Sequence, residues 1–314
     1  MTQTHEIFQA IGTNLNSVVF GQQDTTNQLL IALLTGGHVI LEGVPGTGKT
    51  LMAKVLSQLI QADFRRVQLT PDILPMDILG TNIFDLKTQE FILRKGPVFT
   101  QLLLADEINR TPPKTQAALL EAMAEGQVTL DGESLQLSDL FWVIATQNSL
   151  EFEGTYPLPE AQLDRFLFKL IIDYPPSSAE REMLTTSQQP RQSRQQVMVD
   201  KVATVNDCLA ARQEVQAIKA SSAIIDYLLA LVQQTRKHPD LSLGASPRAA
   251  VAWLQASKAA AWLDQRDFVT PDDLKLVAPP LLRHRLILRP EAQLDGLQID
   301  QVITSLVNQV AVPR

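Results

Sequence analysis

A glycine-rich segment that ends in a lysine and a threonine carries the clearest chemistry in the sequence. Residues 43–50 fit the spacing G-x-x-x-x-G-K-[ST], with Gly43, Gly48, Lys49 and Thr50 in the four fixed places. Glycines allow backbone conformations that a side chain forbids, so successive N–H groups can converge on phosphate oxygens. The lysine adds a positive charge for the outer phosphates, and the threonine hydroxyl can bind Mg²⁺. The segment therefore predicts a phosphate-binding loop.

The sequence on either side of this loop provides the elements that would hold it. Residues 38–41 form an apolar run typical of a buried parallel strand, and residues 51–60 have the periodicity of a helix. The helix would begin at the loop, so its N-terminus would face a bound anion. We therefore expect ATP or GTP to contact Gly43, Val44, Pro45, Gly46, Thr47, Gly48, Lys49, Thr50 and Leu51.

A second apolar run ends in two carboxylates. Residues 102–105 read Leu-Leu-Leu-Ala and are followed by Asp106 and Glu107. In an open parallel sheet, ligands bind at the carboxyl ends of the strands. Asp106 could hold the hydration shell of Mg²⁺ opposite Thr50, and Glu107 could act as general base on an attacking water. A solvated strand end is the simpler alternative, and the preceding phosphate loop favours the nucleotide site.

Two further positions could complete such a site, although each has a simpler interpretation. The apolar run 141–145 ends in Thr-Gln-Asn, and Asn148 could orient the water near the terminal phosphate or merely form a turn. Phe20 and Gly21 separate two predicted helices upstream of the loop. They could offer backbone groups and an apolar contact to a base, or serve only as a helix connection.

The elements that must position these residues divide the chain into two parts. At 314 residues, with 45% hydrophobic and 19% charged residues, the chain is long enough for two globular domains. We assign residues 1–176 to a strand-containing domain and 177–200 to a polar linker. Residues 201–314 form a smaller helical domain without a convincing strand pattern. Its predicted helical segments are 202–211, 222–236, 247–263, 271–277 and 298–308.

Two stretches of the first domain look like surface projections. Residues 70–96 contain prolines, a glycine and a hairpin-like run, which is unusual for a simple strand connection. The dipeptide Asp131-Gly132 within residues 127–137 is a strong signal for a β-hairpin. Such projections usually carry partner or substrate contacts.

Charge and composition exclude several classes of protein. The net charge of −7 disfavours nonspecific attraction to nucleic acid or to an anionic membrane. The N-terminus shows no basic and apolar leader, and no run of about eighteen apolar residues occurs. We therefore expect a cytoplasmic protein without membrane insertion and consider nucleic acid an improbable partner.

The cysteine and histidines show no spacing of metal ligands. Cys208 is the single cysteine, so an internal disulfide is impossible and a packing role is expected. His5, His38, His238 and His284 are scattered along the chain. We expect no metal except the Mg²⁺ that accompanies a nucleotide.

Together these motifs resemble the MoxR family of AAA+ ATPases. The stretches that carry the resemblance are 43–50, 102–123, 145–148, 153–166 and 244–248, and the similarity covers nearly the whole chain. It implies an α/β fold: an AAA+ P-loop αβα sandwich with a parallel sheet, followed by a smaller all-α lid domain. One departure is Ser149, which stands where the family usually has proline. Because that proline touches no phosphate, we expect the difference to have little effect on hydrolysis.

The resemblance also implies roles by position. It assigns Walker A to Lys49 and Thr50, Walker B to Asp106 and Glu107, sensor 1 to Asn148, sensor 2 to Arg248, and the arginine finger to Arg165. Thr50 and Asp106 would hold Mg²⁺. The family forms rings, usually hexamers, in which the finger reaches the ATP of the adjacent subunit. Arg248 stands in the first turn of a predicted helix, where a cation is unfavourable unless an anion is near.

The activity implied is ATP hydrolysis by a chaperone-like motor that remodels or matures partner complexes, for example by cofactor or metal insertion. Family members often work with proteins that contain a von Willebrand factor A domain, and the client protein is unknown. Residues 71–100 and 126–137 are expected at the pore or partner face of the ring. The alternatives are a magnesium-chelatase-like motor subunit, a nucleic-acid-acting AAA+ motor, and a switch that binds ATP without hydrolysis. Glu107, Asn148 and Arg165 argue against the switch.

Overall fold

Short apolar runs form the central sheet of the first domain. The computed structural model describes residues 3–148, 154–187 and 201–312, and elements are numbered in chain order. The strands of this sheet are β1 (Val39–Gly43), β2 (Phe64–Gln68), β5 (Leu102–Asp106), β8 (Trp142–Gln147) and β9 (Phe168–Ile172). They pair in parallel in the order β2-β5-β8-β1-β9. Their carboxyl ends therefore lie along one edge of the sheet.

Helices cover both faces of this sheet. Alternate side chains of a strand point to opposite faces, and in β5 both sets are mainly apolar and buried. Leu102 and Leu104 pack in one apolar cluster with the first three helices, whereas Leu103 and Ala105 pack in a second cluster with the helix after β5. This is the predicted αβα sandwich. The helices of this domain are α1 (Gln3–Val18), α2 (Gln23–Thr35), α3 (Lys49–Leu59), α4 (Pro75–Leu79), α5 (Pro113–Glu125), α6 (Glu160–Leu163) and α7 (Ser177–Ser187), with a 3₁₀ turn at Ile108–Arg110.

Two β-hairpins project from the domain, as the turn residues predict. β3 (Gly80–Asp85) pairs with β4 (Glu90–Lys95), and β6 (Gln127–Leu130) pairs with β7 (Glu133–Gln136). The turn between β6 and β7 is Asp131-Gly132, and both residues have positive φ, 50° and 90°. Asn82 Nδ2 donates to Asp131 Oδ2 over 2.6 Å, so the first hairpin is bonded to the tip of the second.

The second domain is predominantly helical. Its helices are α8 (Val205–Gln216), α9 (Ser222–Lys237), α10 (Pro247–Leu263), α11 (Pro271–Leu282), α12 (Pro290–Leu294) and α13 (Ile299–Gln309). Ser246 caps α10, because its hydroxyl accepts from the Ala249 N–H at 3.0 Å. Cys208 is buried in α8, and burial raises the pKa of its thiol to about 12. Within the described ranges, no helix combines the length and the apolar character that a membrane crossing requires.

A short antiparallel ribbon in this domain was not predicted. β10 (Leu241–Leu243) pairs with β11 (Ile287–Leu288). Strands of three and two residues are too short to show a period-two pattern, and the pairing joins segments far apart in sequence. The ribbon is a small addition to the helical architecture.

The apolar core runs without a break from the first domain into the helical one. A single cluster joins α1, α2 and α3 to α8, α10, α11 and α13. Polar contacts cross the same boundary: Arg212 Nε donates to Leu33 O over 2.9 Å, and the rings of His5 and Trp262 stack at 4.0 Å. The predicted linker, residues 177–200, is described only in its first part, which forms α7, and residues 188–200 lie outside the described ranges.

His38, directly before β1, bonds to both β8 and α5. Its Nδ1 accepts from the Val143 N–H at 3.0 Å, so Nε2 carries the proton and donates to Met123 O over 3.1 Å. The pKa of His38 is lowered to about 4, mainly by burial; the bond to Met123 opposes this shift and the charge of Arg212 adds to it. The folded protein therefore requires a neutral imidazole here.

This geometry predicts a pH-dependent stability. Above pH 6.5 His38 is neutral in both states, and between 6.5 and about 4 the unfolded chain binds a proton that the folded chain does not. Stability should therefore fall over that interval by about 3 kcal/mol from this group and no further below it. Urea unfolding from pH 7.5 to 4 should show a shallower pH slope for His38→Gln than for the parent chain. Equal slopes would contradict the assignment, since His284 contributes equally to both proteins.

Candidate functional site

The glycine-rich loop follows β1 and leads directly into α3. A Cβ atom on Gly43 would lie 2.2 Å from Ile172 O, so only glycine permits the close approach of β1 to β9. Gly46 and Gly48 have φ of 84° and 88°, in the left-handed region that favours glycine. Apart from the adjacent residues of the loop, no atom of the described residues lies within 4 Å of the position of a Cβ on either glycine, so they leave open space beside the loop.

Lys49 lies folded over this loop. Its Nζ donates to Gly43 O at 2.7 Å and to Val44 O at 2.8 Å. Burial lowers the pKa of Lys49, and the negative charges of Asp106 and Glu107 raise it. The ammonium group is therefore held at the sheet edge between the loop carbonyls and two carboxylates.

Asp106 ends β5 beside the last residues of β8. Its carboxylate is buried and accepts three side-chain donors. Oδ1 accepts from Thr146 Oγ1 at 2.7 Å, and Oδ2 accepts from Arg66 Nε at 2.7 Å. Thr50 Oγ1 lies 3.5 Å from the same Oδ2, at the limit of a hydrogen bond. Thr50 and Asp106 therefore face each other at the sheet edge, and their binding of Mg²⁺ stays a prediction.

Thr146 also fixes the second carboxylate residue. Glu107 has φ of 58°, an uncommon value for a residue with a side chain, and its N–H donates to Thr146 Oγ1 over 2.9 Å. Its carboxylate pairs with Arg110 Nη1 at 3.0 Å. One hydroxyl therefore orients Asp106 through its side chain and Glu107 through its backbone.

Thr146 and Arg66 were not predicted as site residues. The parallel register pairs Ala105 with Ala145, which places Asp106 beside Thr146. Had the order of strands been known, the polar end of β8 would have indicated Thr146. Arg66 lies on the edge strand β2, where an arginine reads as an exposed surface residue.

These side chains surround a cavity of about 380 Å³ at the carboxyl ends of the strands. Its size is in the ordinary range of small-molecule sites. Gly43 and Val44 do not line the cavity but support Lys49 through their carbonyls. The lining residues are Pro45, Gly46, Thr47, Gly48, Lys49, Thr50, Leu51, Arg66, Gln68, Asp106, Glu107, Thr146, Gln147 and Asn148.

Two predicted arginines lie away from this cavity. Arg165 follows α6, and its Nη1 donates to Leu120 O in α5 at 3.0 Å. Arg248 is exposed in the first turn of α10 and has no hydrogen bond or ion pair within the described ranges. Its positive charge lowers the pKa of Arg285, which places Arg248 near that residue. The structure therefore separates both arginines from the phosphate loop of the same chain.

The Phe20-Gly21 turn also lies outside the main cavity. Gly21 has φ of 73°, and a Cβ there would lie 2.8 Å from Pro176 Cδ. It lines a second cavity of about 530 Å³, together with Asp173 and Tyr174, whereas the half-buried Phe20 does not. The contact with a base stays a prediction.

The residues of the main cavity fit a nucleotide with Mg²⁺. Hydroxyl and carboxylate oxygens such as those of Thr50 and Asp106 are ligands that Mg²⁺ prefers, and it usually binds with substrate phosphates. The open space beside Gly46 and Gly48 suits a phosphate against the loop backbone. In the part of the chain that the structure describes, no group of three or more His, Cys, Asp or Glu side chains could hold a metal by itself.

Comparisons with known proteins agree with this geometry. The sequence model described as "ATPase family associated with various cellular activities (AAA)" matches residues 38–168, and the model "AAA lid domain" matches residues 233–306. The uncharacterized protein YeaC of Bacillus subtilis (strain 168) is 47% identical over 309 residues, which are 98% of this chain and 96% of that protein.

A named chaperone and a crystal structure extend the comparison. Chaperone MoxR1 of Mycobacterium tuberculosis is 38% identical over 322 residues, which cover 99% of this chain and 84% of that protein. A crystal structure of an inferred ATPase from Cytophaga hutchinsonii has a TM-score of 0.91 and 39% identity. It covers 99% of this chain and 96% of that one. The similarity therefore extends over both domains.

The position of Thr146 predicts a measurable loss of stability. Thr146→Val keeps the shape but leaves Asp106 Oδ1 and the Glu107 N–H without this partner, which should lower the free energy of unfolding by about 1–3 kcal/mol. Thr146→Ser keeps the hydroxyl and loses one methyl group, so its cost should be about 1 kcal/mol or less. Urea unfolding of both variants tests this difference. A valine variant as stable as the serine variant would show that the hydroxyl does not hold the carboxylates.

Proposed function

Because the chain belongs to the MoxR family of AAA+ ATPases, we propose that it hydrolyses ATP as a ring of identical subunits in the cytoplasm and uses this cycle to remodel or mature partner protein complexes. The observation that carries the proposal is the convergence of Lys49, Thr50, Asp106 and Glu107 around one cavity at the sheet edge. Their chemistry matches what phosphoryl transfer requires, which is positioning and stabilisation of negative charge.

The loop and α3 would bind the phosphates. The backbone N–H groups around Gly46 and Gly48 and the N-terminus of α3 favour an anion, and Lys49 adds a full positive charge beside it. Thr50 and Asp106 would hold Mg²⁺. When bound, the ion would neutralise the charge that develops on the phosphate oxygens.

Glu107 is the proposed general base. It would accept a proton from the attacking water, while Thr146 holds its backbone and Arg110 pairs with its carboxylate. Asn148, which is buried at the end of β8 and lines the same cavity, would orient the water as sensor 1. Glu107, Thr146 and Asn148 come from the ends of the adjacent strands β5 and β8.

A neighbouring subunit would complete the site. Arg165 and Arg248 do not line the cavity of their own chain, and both would act as cations on the ATP of an adjacent subunit. Such a finger can accelerate hydrolysis by about 10³ to 10⁵. The ring is proposed to be a hexamer, as in the family.

The two hairpins are the proposed contact surface for clients and partners. The β3–β4 hairpin exposes Phe84, Leu86 and Phe91, and the two phenylalanine rings meet edge to face at 5.2 Å. Exposed apolar groups of this kind mark interaction sites. We propose a protein with a von Willebrand factor A domain as adaptor and a cofactor-dependent complex as client, and a magnesium-chelatase-like role would use the same surface.

The Phe20-Gly21 turn would contact the adenine.

One observation favours a nucleic-acid-acting motor as the second candidate. Despite the net charge of −7, Arg65, Arg94 and Lys95 line a single cavity of about 400 Å³, together with Asp77. Binding to DNA that weakens steeply with salt and stimulates ATP hydrolysis would support this alternative. ATPase stimulation by a protein client in the absence of nucleic acid would support the leading proposal.

Substitution of the two Walker motifs should separate binding from hydrolysis. Lys49→Ala should abolish ATP binding, whereas Glu107→Gln should bind ATP and lose about 10²- to 10⁴-fold in hydrolysis rate because the base is absent. Binding of a fluorescent ATP analogue and phosphate release measure the two steps. Glu121→Gln, on the exposed face of α5, removes the same charge away from the cavity and should behave like the parent chain. Normal turnover by Glu107→Gln would reject the assignment of the base.

Mixed rings should reveal the action of Arg165 on a neighbour. Lys49→Ala subunits keep the finger and Arg165→Ala subunits keep the loop, so each should be inactive alone and mixtures should recover part of the ATPase activity. Phosphate release across a series of mixing ratios measures this recovery. Absence of recovery at every ratio would contradict a role between subunits.

A further inference from the structure

We propose that Arg285 in the lid is the positioning residue for the arginine finger, because it forms hydrogen bonds to the finger segment (residues 164–167) on both sides of Arg165. The inference rests on the proposed function, in which Arg165 acts on the ATP of an adjacent subunit. Hydrolysis would then require Arg285, although this residue does not line the cavity at the phosphate loop.

Arg285 follows α11 and is 7% exposed. Its Nε pairs with Asp164 Oδ1 at 2.6 Å, directly before the finger. Its Nη2 donates to Phe166 O at 2.7 Å and its Nη1 donates to Leu167 O at 2.9 Å, directly after the finger. One planar guanidinium therefore bonds to three of the four residues of the finger segment.

The chemistry of these bonds requires an arginine. Burial lowers the pKa of Arg285, and the hydrogen bond and negative charge of Asp164 raise it. A buried cation is retained only where a counter-ion and further acceptors surround it. The nitrogens of one planar guanidinium donate in different directions, to the Asp164 carboxylate and to the carbonyls of Phe166 and Leu167. The compact ammonium group of a lysine cannot reproduce this arrangement.

The preceding residue strengthens the same contact. His284 Nε2 lies 3.0 Å from Phe166 O and must donate, because a carbonyl only accepts. Burial holds the pKa of His284 well below its usual value, and the nearby charge of Arg285 lowers it further. Phe166 O therefore receives donors from two consecutive lid residues.

The contact joins the finger segment to the helical domain, in addition to the bond by which the Leu167 N–H donates to His38 O at 2.7 Å before β1. On the other side, the side chain of Arg165 bonds only to the Leu120 carbonyl in α5 within the described ranges. A movement of α11 relative to the sheet would thus displace the finger segment. Arg248, the second cation proposed for the adjacent site, lies in the same helical domain, in the first turn of α10.

Arg283, two residues before Arg285, offers a matched control. Its Nη1 donates to Lys169 O in β9 at 3.1 Å, and its Nη2 pairs with Asp300 at 2.9 Å. It therefore bonds the lid to the sheet without touching the finger segment. Arg283→Gln and Arg285→Gln remove the same charge from neighbouring places in the fold.

The test adds Arg285→Gln to one member of the mixed ring at a time. In the Lys49→Ala subunit, which donates the finger, Arg285→Gln should reduce the recovered ATPase activity by at least about tenfold. In the Arg165→Ala subunit, which has no finger, it should leave recovery unchanged. Arg283→Gln should leave recovery unchanged in either subunit. Equal losses from Arg285→Gln in both subunits, or no loss in the finger donor, would overturn the proposal.

Hydrogen exchange without nucleotide gives a readout independent of hydrolysis. Peptides covering residues 160–167 should exchange faster in Arg285→Gln than in the parent chain or in Arg283→Gln, while peptides of α10 should be unchanged in all three. Unchanged exchange in 160–167 would overturn the proposal even if activity fell. If the parental mixture without Arg285→Gln shows no recovery, the action of Arg165 between subunits fails, and this outcome is distinct from a failure confined to Arg285.

Discussion

The pairing of β5 with β8 places Asp106 beside Thr146, and the geometry of the whole site depends on this contact. The threonine hydroxyl donates to Asp106 and accepts from the Glu107 N–H, so a single side chain orients two carboxylate residues. Because the strands are parallel, the loop after β1 reaches the same edge from the other side of β8. The positive charge of Lys49 and the negative charges of Asp106 and Glu107 therefore line the same cavity.

Local signals explain what could be predicted from the sequence. The phosphate loop, its flanking strand and helix, and the Asp131-Gly132 hairpin each depend on residues close together in the chain, and the structure contains all of them. Contacts that depend on strand order or on domain packing could not be predicted. Thr146 requires the register of two strands, and Arg285 bonds to a segment more than a hundred residues earlier. The roles assigned to Arg165 and Arg248 stay predictions, since neither residue lines the cavity of its own chain.

The continuous apolar core holds the two domains together. α1 and α2 belong by sequence to the first domain but share one cluster with the lid helices α8 and α10. Burial of this size opposes full separation of the domains. Polar contacts of Arg212 and Arg285 connect the lid to the first domain beside this apolar core.

The hydrogen bond between Asn82 and Asp131 connects the two hairpins. The second hairpin follows α5, which begins shortly after Glu107, whereas the first carries the exposed phenylalanines. A partner bound at the phenylalanines would therefore contact a hairpin that is bonded to the one following α5, and α5 connects that second hairpin in sequence to the carboxylates of the cavity.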